Sequence, residues 1–314
     1  MPKLKTLAKF NESLTINMNK QKKAYLFAVS AVLLWSTVAV SFKIALRYVD
    51  FLQLLLFSSF TALFIYLLIS LINGTISRLF KVNKKHLFAS AFIGFLNPFL
   101  YYVVLFKAYS LLPAQIAQPL NYLWPVVLVL LSAPLLGEKL KFINIVSLFI
   151  GFFGVYVIST RGDLFGFKID KPFGVALAAG SSVIWALSWI YNQKDKREEQ
   201  IKLFWNFLFG FFYILIAVLV FSELKLPETK GVFAVIYVGL FEMGITFFFW
   251  LKALQLTERN DKISNLIFLS PFLALIFIHF ILKEEIYYTT YIGLALIISG
   301  IFVQKVKKRL LRQV

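Results

Sequence analysis

The sequence predicts an all-α integral membrane protein, with ten transmembrane helices arranged as two inverted five-helix repeats. Three observations carry that expectation. The chain of 314 residues is 60% hydrophobic with a mean hydropathy of +0.80, and its apolar residues fall into blocks of about twenty, the length a helix needs to cross a bilayer. Its Lys and Arg residues are divided unequally between alternate links. Its two halves match each other at intervals near 145 residues. The blocks are continuous rather than alternating, which excludes the strands of a membrane β-barrel.

In chain order the blocks place spans at 24–42, 51–72, 87–109, 115–136, 142–160, 173–191, 203–221, 231–254, 263–282 and 287–304. The basic, polar segment 1–23 precedes a block too long for a signal-peptide core and holds no A-x-A cleavage site, so it reads as a cytoplasmic tail. Segment 305–314 is a second basic tail. With the N-terminus inside, the inner segments hold 24 of the 33 Lys and Arg residues and the outer segments 9. The positive-inside rule therefore puts both termini in the cytoplasm of a multi-pass plasma-membrane protein. The net charge of +18 resides in these links beside apolar blocks, which argues against nucleic acid as a partner. The chain has no cysteine, which excludes disulfides, thiolate catalysis and Cys-ligated metals.

The repeat is visible in three places. "PVVLVLLSAPLLGEKL" (Pro125–Leu140) matches "PFLALIFIHFILKEEI" (Pro271–Ile286), each ending on an acid at the same offset, Glu138 and Glu284. "LFKAYSLL" (Leu105–Leu112) matches "WLKALQLT" (Trp250–Thr257), pairing Lys107 with Lys252. Trp35 and Trp185 fall within spans one and six. The halves are 24–160 and 161–304, five spans each. Five is odd, so a copied unit enters the membrane from the opposite side, the layout of many secondary transporters that bind substrate between their halves. A duplicated helical scaffold without transport is the plainer alternative.

At these residues the sequence resembles the drug/metabolite transporter superfamily, in particular its EamA-type ten-span members. The resemblance rests on "YYVVLFKAYSLLPAQIAQPLNYLWPVVLVLLSAPLLGEKL", its counterpart "FFFWLKALQLTERNDKISNLIFLSPFLALIFIHFILKEEI", and "LLWSTVAVSFKIAL" in the first span. It covers residues 24–304 and departs at Lys283, where the family pattern has glycine. The resemblance implies export or exchange of amino acids, related metabolites or drugs without ATP, through a central cavity between the halves.

The residues that could carry transport stand out against an apolar background. All five aspartates lie in links or at span edges, and of ten glutamates only Glu242 lies deep in a block. An intramembrane charge costs about 3 kcal/mol or more at the bilayer centre, so such residues usually face an interior. The repeat pairs Glu242 with Asn97, and four residues on it pairs Thr246 with Tyr101. Asn97 and Glu242 are expected on opposite walls of one cavity. Glu242 could exchange a proton as the cavity opens to each side, bind a substrate amino group, or only tie helices together. Gln118, Asn121, Tyr122 and Pro125 share one face of span four. Pro119 and Pro125 each leave a carbonyl unpaired one turn back. Trp35, Trp185 and Trp189 sit too deep for an interfacial belt, so packing or cavity wall explains them. Lys107 and Lys252 fit snorkelling toward headgroups, with a gate or a carboxylate counter-ion as the functional alternative. Gly151, Gly154, Gly293 and Gly300 suit close helix contact.

Expected partners are thus a small-molecule substrate, protons and the lipid bilayer. An enzyme is disfavoured, since two histidines and one intramembrane acid assemble no catalytic set. No Walker-type loop is present and no cofactor is implied. A membrane enzyme and a structural or assembly protein remain as alternatives.

Overall fold

The computed structural model describes the backbone of residues 2–137, 142–161, 163, 169–257, 263 and 265–310, and side chains from Lys20 to Val303 within those ranges apart from Leu251. Among the described residues all regular structure is helical. In chain order the main helices are α1 (Pro2–Ala45), α2 (Phe51–Ile72), α3 (Lys84–Leu111), α4 (Ala114–Leu136), α5 (Phe142–Ser159), α6 (Pro172–Lys194), α7 (Glu199–Phe221), α8 (Thr229–Leu256), α9 (Ile267–Leu282) and α10 (Tyr288–Leu310). A single turn at Ile76–Leu79 lies between α2 and α3. Among the described residues eight helices are long and apolar enough to span a membrane, and two shorter apolar helices complete the set. The helix expected at 24–42 runs back without a break through the basic tail to Pro2. Glu138, the first of the matched acids, lies outside the described residues.

Local chemistry sets the helix boundaries. Asp50 caps α2, accepting from the Leu52 and Gln53 amides at 2.7 and 3.1 Å, while the Gln53 side chain reaches back to the Asp50 amide. Asn83 caps α3 through the His86 amide. Helix α4 is bent where its first segment ends at Asn121 and its second begins at Trp124. Pro125 lacks the N–H that would have bonded the Asn121 carbonyl, which explains the break. The chain then leaves α4 at Gly137, whose φ of 70° favours a residue without Cβ.

Helices α3 and α8 each contain one wide (π) turn, at Phe95–Leu100 and Gly239–Gly244. Both helices are 28 residues long. Helix α1 packs on α8 and α9, and α6 packs on α3 and α4. Helix α2 packs on α7 and α8, and α7 on α2 and α3, while α5 packs on α10. These pairings are unchanged when each helix is replaced by the one five places along the chain.

Close approach is built from small residues, as the glycine pattern suggested. A Cβ on Gly154 would come within 2.6 Å of the Gly293 carbonyl, and one on Gly293 within 2.5 Å of the Gly154 carbonyl. The α5–α10 contact therefore brings backbone against backbone. A Cβ on Gly210 of α7 would meet the Pro98 ring of α3 at 2.5 Å. The outer surface is apolar, with Phe149, Phe212, Ile216 and Phe280 all exposed, as a lipid-facing surface requires. Some buried hydroxyls bond back to their own helix, Ser36 to the Val32 carbonyl and Ser59 to the Leu56 carbonyl, which satisfies them without water.

Between α6 and α7, Arg197 forks onto Asp195 and also donates to Ser90 of α3 at 2.6 Å. Both members of the ion pair are buried. Burial pushes the Asp195 carboxyl up, but the hydrogen bonds and charge of Arg197 outweigh it and hold it below the usual carboxylate range. A lowered carboxylate stabilises the fold above its unfolded value, about 3.9, and loses that contribution only as pH falls through the folded one. Asp195→Ala should therefore cost about 1–3 kcal/mol, by leaving the partly buried Arg197 without its charged partner. The loss of melting temperature caused by the substitution should be the same at neutral and at mildly acidic pH. A melt unchanged by the substitution would contradict the assignment.

Candidate functional site

A cavity of about 620 Å³ lies between the helices, with Glu242 on its wall. Glu242 sits inside the wide turn of α8, where the helix backbone bulges. It is 8% exposed, and its Oε1 accepts a hydrogen bond from the Tyr102 hydroxyl of α3 at 3.1 Å. Among the described residues no Lys, Arg or His forms an ion pair with it. Among the described residues it is also the one charged side chain lining the cavity.

Further polar groups come from helices α3, α4 and α6. Tyr101 donates to the Asn121 side-chain oxygen at 3.2 Å, and the Asn121 amide donates to Ser181 at 2.8 Å. Gln118 is buried, and its side-chain oxygen has no partner among the described residues. Tyr122 completes the polar face of α4 on the cavity.

The remaining wall is aromatic. Trp35 stands edge-on to Phe247 with centroids 5.4 Å apart. Trp185 lies 4.7 Å from Tyr101 and 5.8 Å from Phe247, and stacks on Trp189 at 6.2 Å. Five of the six tryptophans line the cavity: Trp35, Trp124, Trp185, Trp189 and Trp250.

The cavity is closed at one end and open at the other. Toward the closed end it meets the buried rings of Phe42 and Tyr109, in edge contact at 5.1 Å. Beyond them Lys43 donates to the Tyr109 and Leu112 carbonyls at 2.9 and 3.0 Å, capping the end of α3. Glu284 accepts from the Ala114 and Gln115 amides at 3.0 and 3.3 Å, capping the start of α4. The Gln115 side chain in turn donates to the Glu285 carbonyl and accepts from the Tyr287 amide. Toward the open end the lining reaches Asn144 at the start of α5, Leu254 near the end of α8, and the exposed Gln193 near the end of α6.

Seven of the nine residues singled out from the sequence line this cavity: Glu242, Gln118, Asn121, Tyr122, Trp35, Trp185 and Tyr101. Asn97 and Thr246 do not. Asn97 lies in the wide turn of α3 with non-helical φ and ψ of −152° and 118°, so helical spacing does not predict where its side chain sits. Asn97 is expected from the repeat to face Glu242 across one cavity; the residue of α3 that bonds Glu242 is Tyr102. Thr246 is fully buried and donates to the Phe241 carbonyl five residues back, satisfying a carbonyl beside the wide turn of α8. Lys107 places its ammonium 5.0 Å over the Phe51 ring, and Lys252 lines a separate cavity of about 410 Å³. Sequence reasoning missed Phe247 and Ser181. Phe247 is one of three consecutive phenylalanines, and nothing in the run distinguishes it.

The sequence model described as the EamA-like transporter family matches the chain twice, at residues 22–160 and 172–304. The chain is 25% identical over 248 residues to the uncharacterized transporter YvbV of Bacillus subtilis (strain 168), covering 76% of this chain and 79% of that one. It is 24% identical over 289 residues to the uncharacterized transporter YoaV of the same strain, covering 89% and 96%. It is 29% identical over 156 residues to the aromatic amino acid exporter YddG of Ancylobacter novellus, covering 48% of this chain and 53% of that one. A solved crystal structure superposes with a TM-score of 0.65 at 24% identity, covering 92% of this chain and 99% of that chain, a likeness of fold. Family and relatives alike point to a transporter rather than an enzyme.

Proposed function

Because the chain belongs to the EamA-like transporter family, we propose that it is a secondary active transporter working by alternating access, an exporter or exchanger of small amine-bearing metabolites, with amino acids among the candidates. The observation that carries this reading is the burial of Glu242, without a cationic partner among the described residues, on the wall of a cavity open at one end. A scaffold protein has no use for such a group, which costs about 3 kcal/mol or more in a bilayer.

In this reading the chain has ten spans in two inverted halves, 24–160 and 161–304. The double family match and the helix pairings that persist on a shift of five support it. The Lys and Arg bias assigns both termini, and the links after α4, α6 and α8, to the cytoplasm of a plasma-membrane protein. The open end of the cavity then faces inward, and the end carrying Lys43 and Glu284 faces out. Glu242 carries a proton in one half-cycle and a substrate ammonium in the other, since one carboxylate cannot hold both.

Counterflow in proteoliposomes tests this. Vesicles preloaded with an aromatic amine or aromatic amino acid should transiently accumulate the labelled compound from outside, without ATP. Purified, correctly inserted protein that gives no counterflow with any member of such a panel would refute the reading.

A further inference from the structure

The transport reading leaves the substrate class open, and the lining of the cavity narrows it. We infer that the central cavity takes a singly cationic aromatic amine in preference to an amino acid of the same side chain. The inference rests on the reading of this cavity as the transport site.

Two independent features of the wall converge on it. The first is its rings. Trp35, Trp185 and Phe247 stand within 5.4 to 5.8 Å of one another in the contacts they share, with Tyr101 and Trp189 against Trp185. Aromatic faces attract a cation, by about 2 kcal/mol or more once it is desolvated, and an aromatic body packs against them as well. Indole is the strongest of these faces, and five of the six tryptophans are at the cavity.

The second feature is the sign of the polar groups. Glu242 is a carboxylate whose one donor among the described residues is the Tyr102 hydroxyl. The side-chain oxygen of Gln118 is a buried acceptor without a partner among the described residues. The Tyr101 hydroxyl is spent on the Asn121 side-chain oxygen, and the Asn121 amide donates to Ser181. An ammonium brings three N–H donors and a positive charge, and so answers both Glu242 and Gln118. A carboxylate brings only acceptors and a second negative charge. Among the described residues no Lys, Arg or His lines the cavity to meet it. An α-amino acid would thus gain at its amine what it loses at its carboxylate, while an amine of the same ring has only the gain. The relative that exports aromatic amino acids matches about half of this chain, so a shared preference for aromatic bodies need not extend to the carboxylate.

The test compares ligands that share a ring and differ in charge. Phenethylamine, phenylalanine and 3-phenylpropionate are titrated against the full-length protein in detergent, read by tryptophan fluorescence and by calorimetry. Phenethylamine should bind at least about tenfold more tightly than phenylalanine, and 3-phenylpropionate should not compete with it. Phenylalanine binding as tightly as the amine, or competition by 3-phenylpropionate, would overturn the inference. Absence of amine binding at millimolar concentration would overturn it too. The comparison uses the wild-type protein, so it does not depend on any variant folding. Glu242→Asp, which keeps the charge, should keep the order of affinities, and Glu242→Gln should erase it. The two claims fail separately. Tight phenylalanine binding with counterflow leaves the transporter reading standing. Tight amine binding without counterflow of any compound removes the transporter reading and keeps the site.

Discussion

Glu242→Gln is expected to lower counterflow at least about tenfold and to flatten the remaining flux against pH. The amide is the same size as the carboxyl and can still accept the Tyr102 hydroxyl, now found at 3.1 Å. Packing around the wide turn is thus preserved, and the protein should purify and melt as the wild type does. What is lost is the ability to hold either a proton or an ammonium, the two states of the proposed cycle. Removing the one charged group among the described residues of the lining leaves a bound cation with only ring faces and a neutral oxygen. A cation desolvated without its counter-charge loses several kcal/mol, well beyond the factor of ten set as the threshold. Wild-type flux and wild-type pH dependence in a well-folded Glu242→Gln protein would show that Glu242 only ties helices together. Tyr102→Phe provides the comparison, since it removes the hydrogen bond and leaves the charge. It should alter pH dependence while keeping transport.

Much of this site was legible because burial in a membrane makes polar residues conspicuous. Glu242 stood out by having no charged neighbour within nine residues, and the polar face of α4 followed from helical spacing. Spacing works where the helix is regular. It failed at Asn97, where the backbone leaves helical φ and ψ, and at Thr246, just past the wide turn of α8. A wide turn advances the helix by an extra residue and rotates every later side chain, and hydropathy carries no trace of it. The closure at Lys43 and Glu284 was hidden for another reason. Both residues act on backbone groups of distant helices, and a carboxylate that caps a helix elsewhere in the chain looks like any charged link residue. The repeat had singled out Glu284 for its position, without its task.

Glu284 is the second residue whose loss should have a large effect. Its two carboxylate oxygens hold the first two amides of α4, and it projects from the link between α9 and α10. It therefore ties the two halves together at the closed end, beside Lys43, which holds the end of α3. Charge-assisted hydrogen bonds to a helix N-terminus are worth about 2 kcal/mol here, or roughly thirtyfold in an equilibrium between closed and open states. In Glu284→Ala, water can replace the carboxylate on those amides once the end opens, so the loss falls on the closed state alone. The variant should shift the population toward opening at that end and, through the rigid packing of the halves, toward closure at the other.

The chain has no cysteine, so single introduced thiols report each end cleanly. The most direct test of alternating access around Glu242 is labelling of Gln193→Cys and Val38→Cys, one at the open mouth and one in the buried closed end, with a membrane-impermeant thiol reagent. In the otherwise wild-type protein, Gln193→Cys should react from the cytoplasmic side and Val38→Cys should be protected from reagent added outside. Adding Glu284→Ala should make Val38→Cys reactive from the outside and slow Gln193→Cys only by the fraction of molecules that leave the inward-open state. Unchanged reactivity of Val38→Cys from the outside in the Glu284→Ala protein would contradict the account.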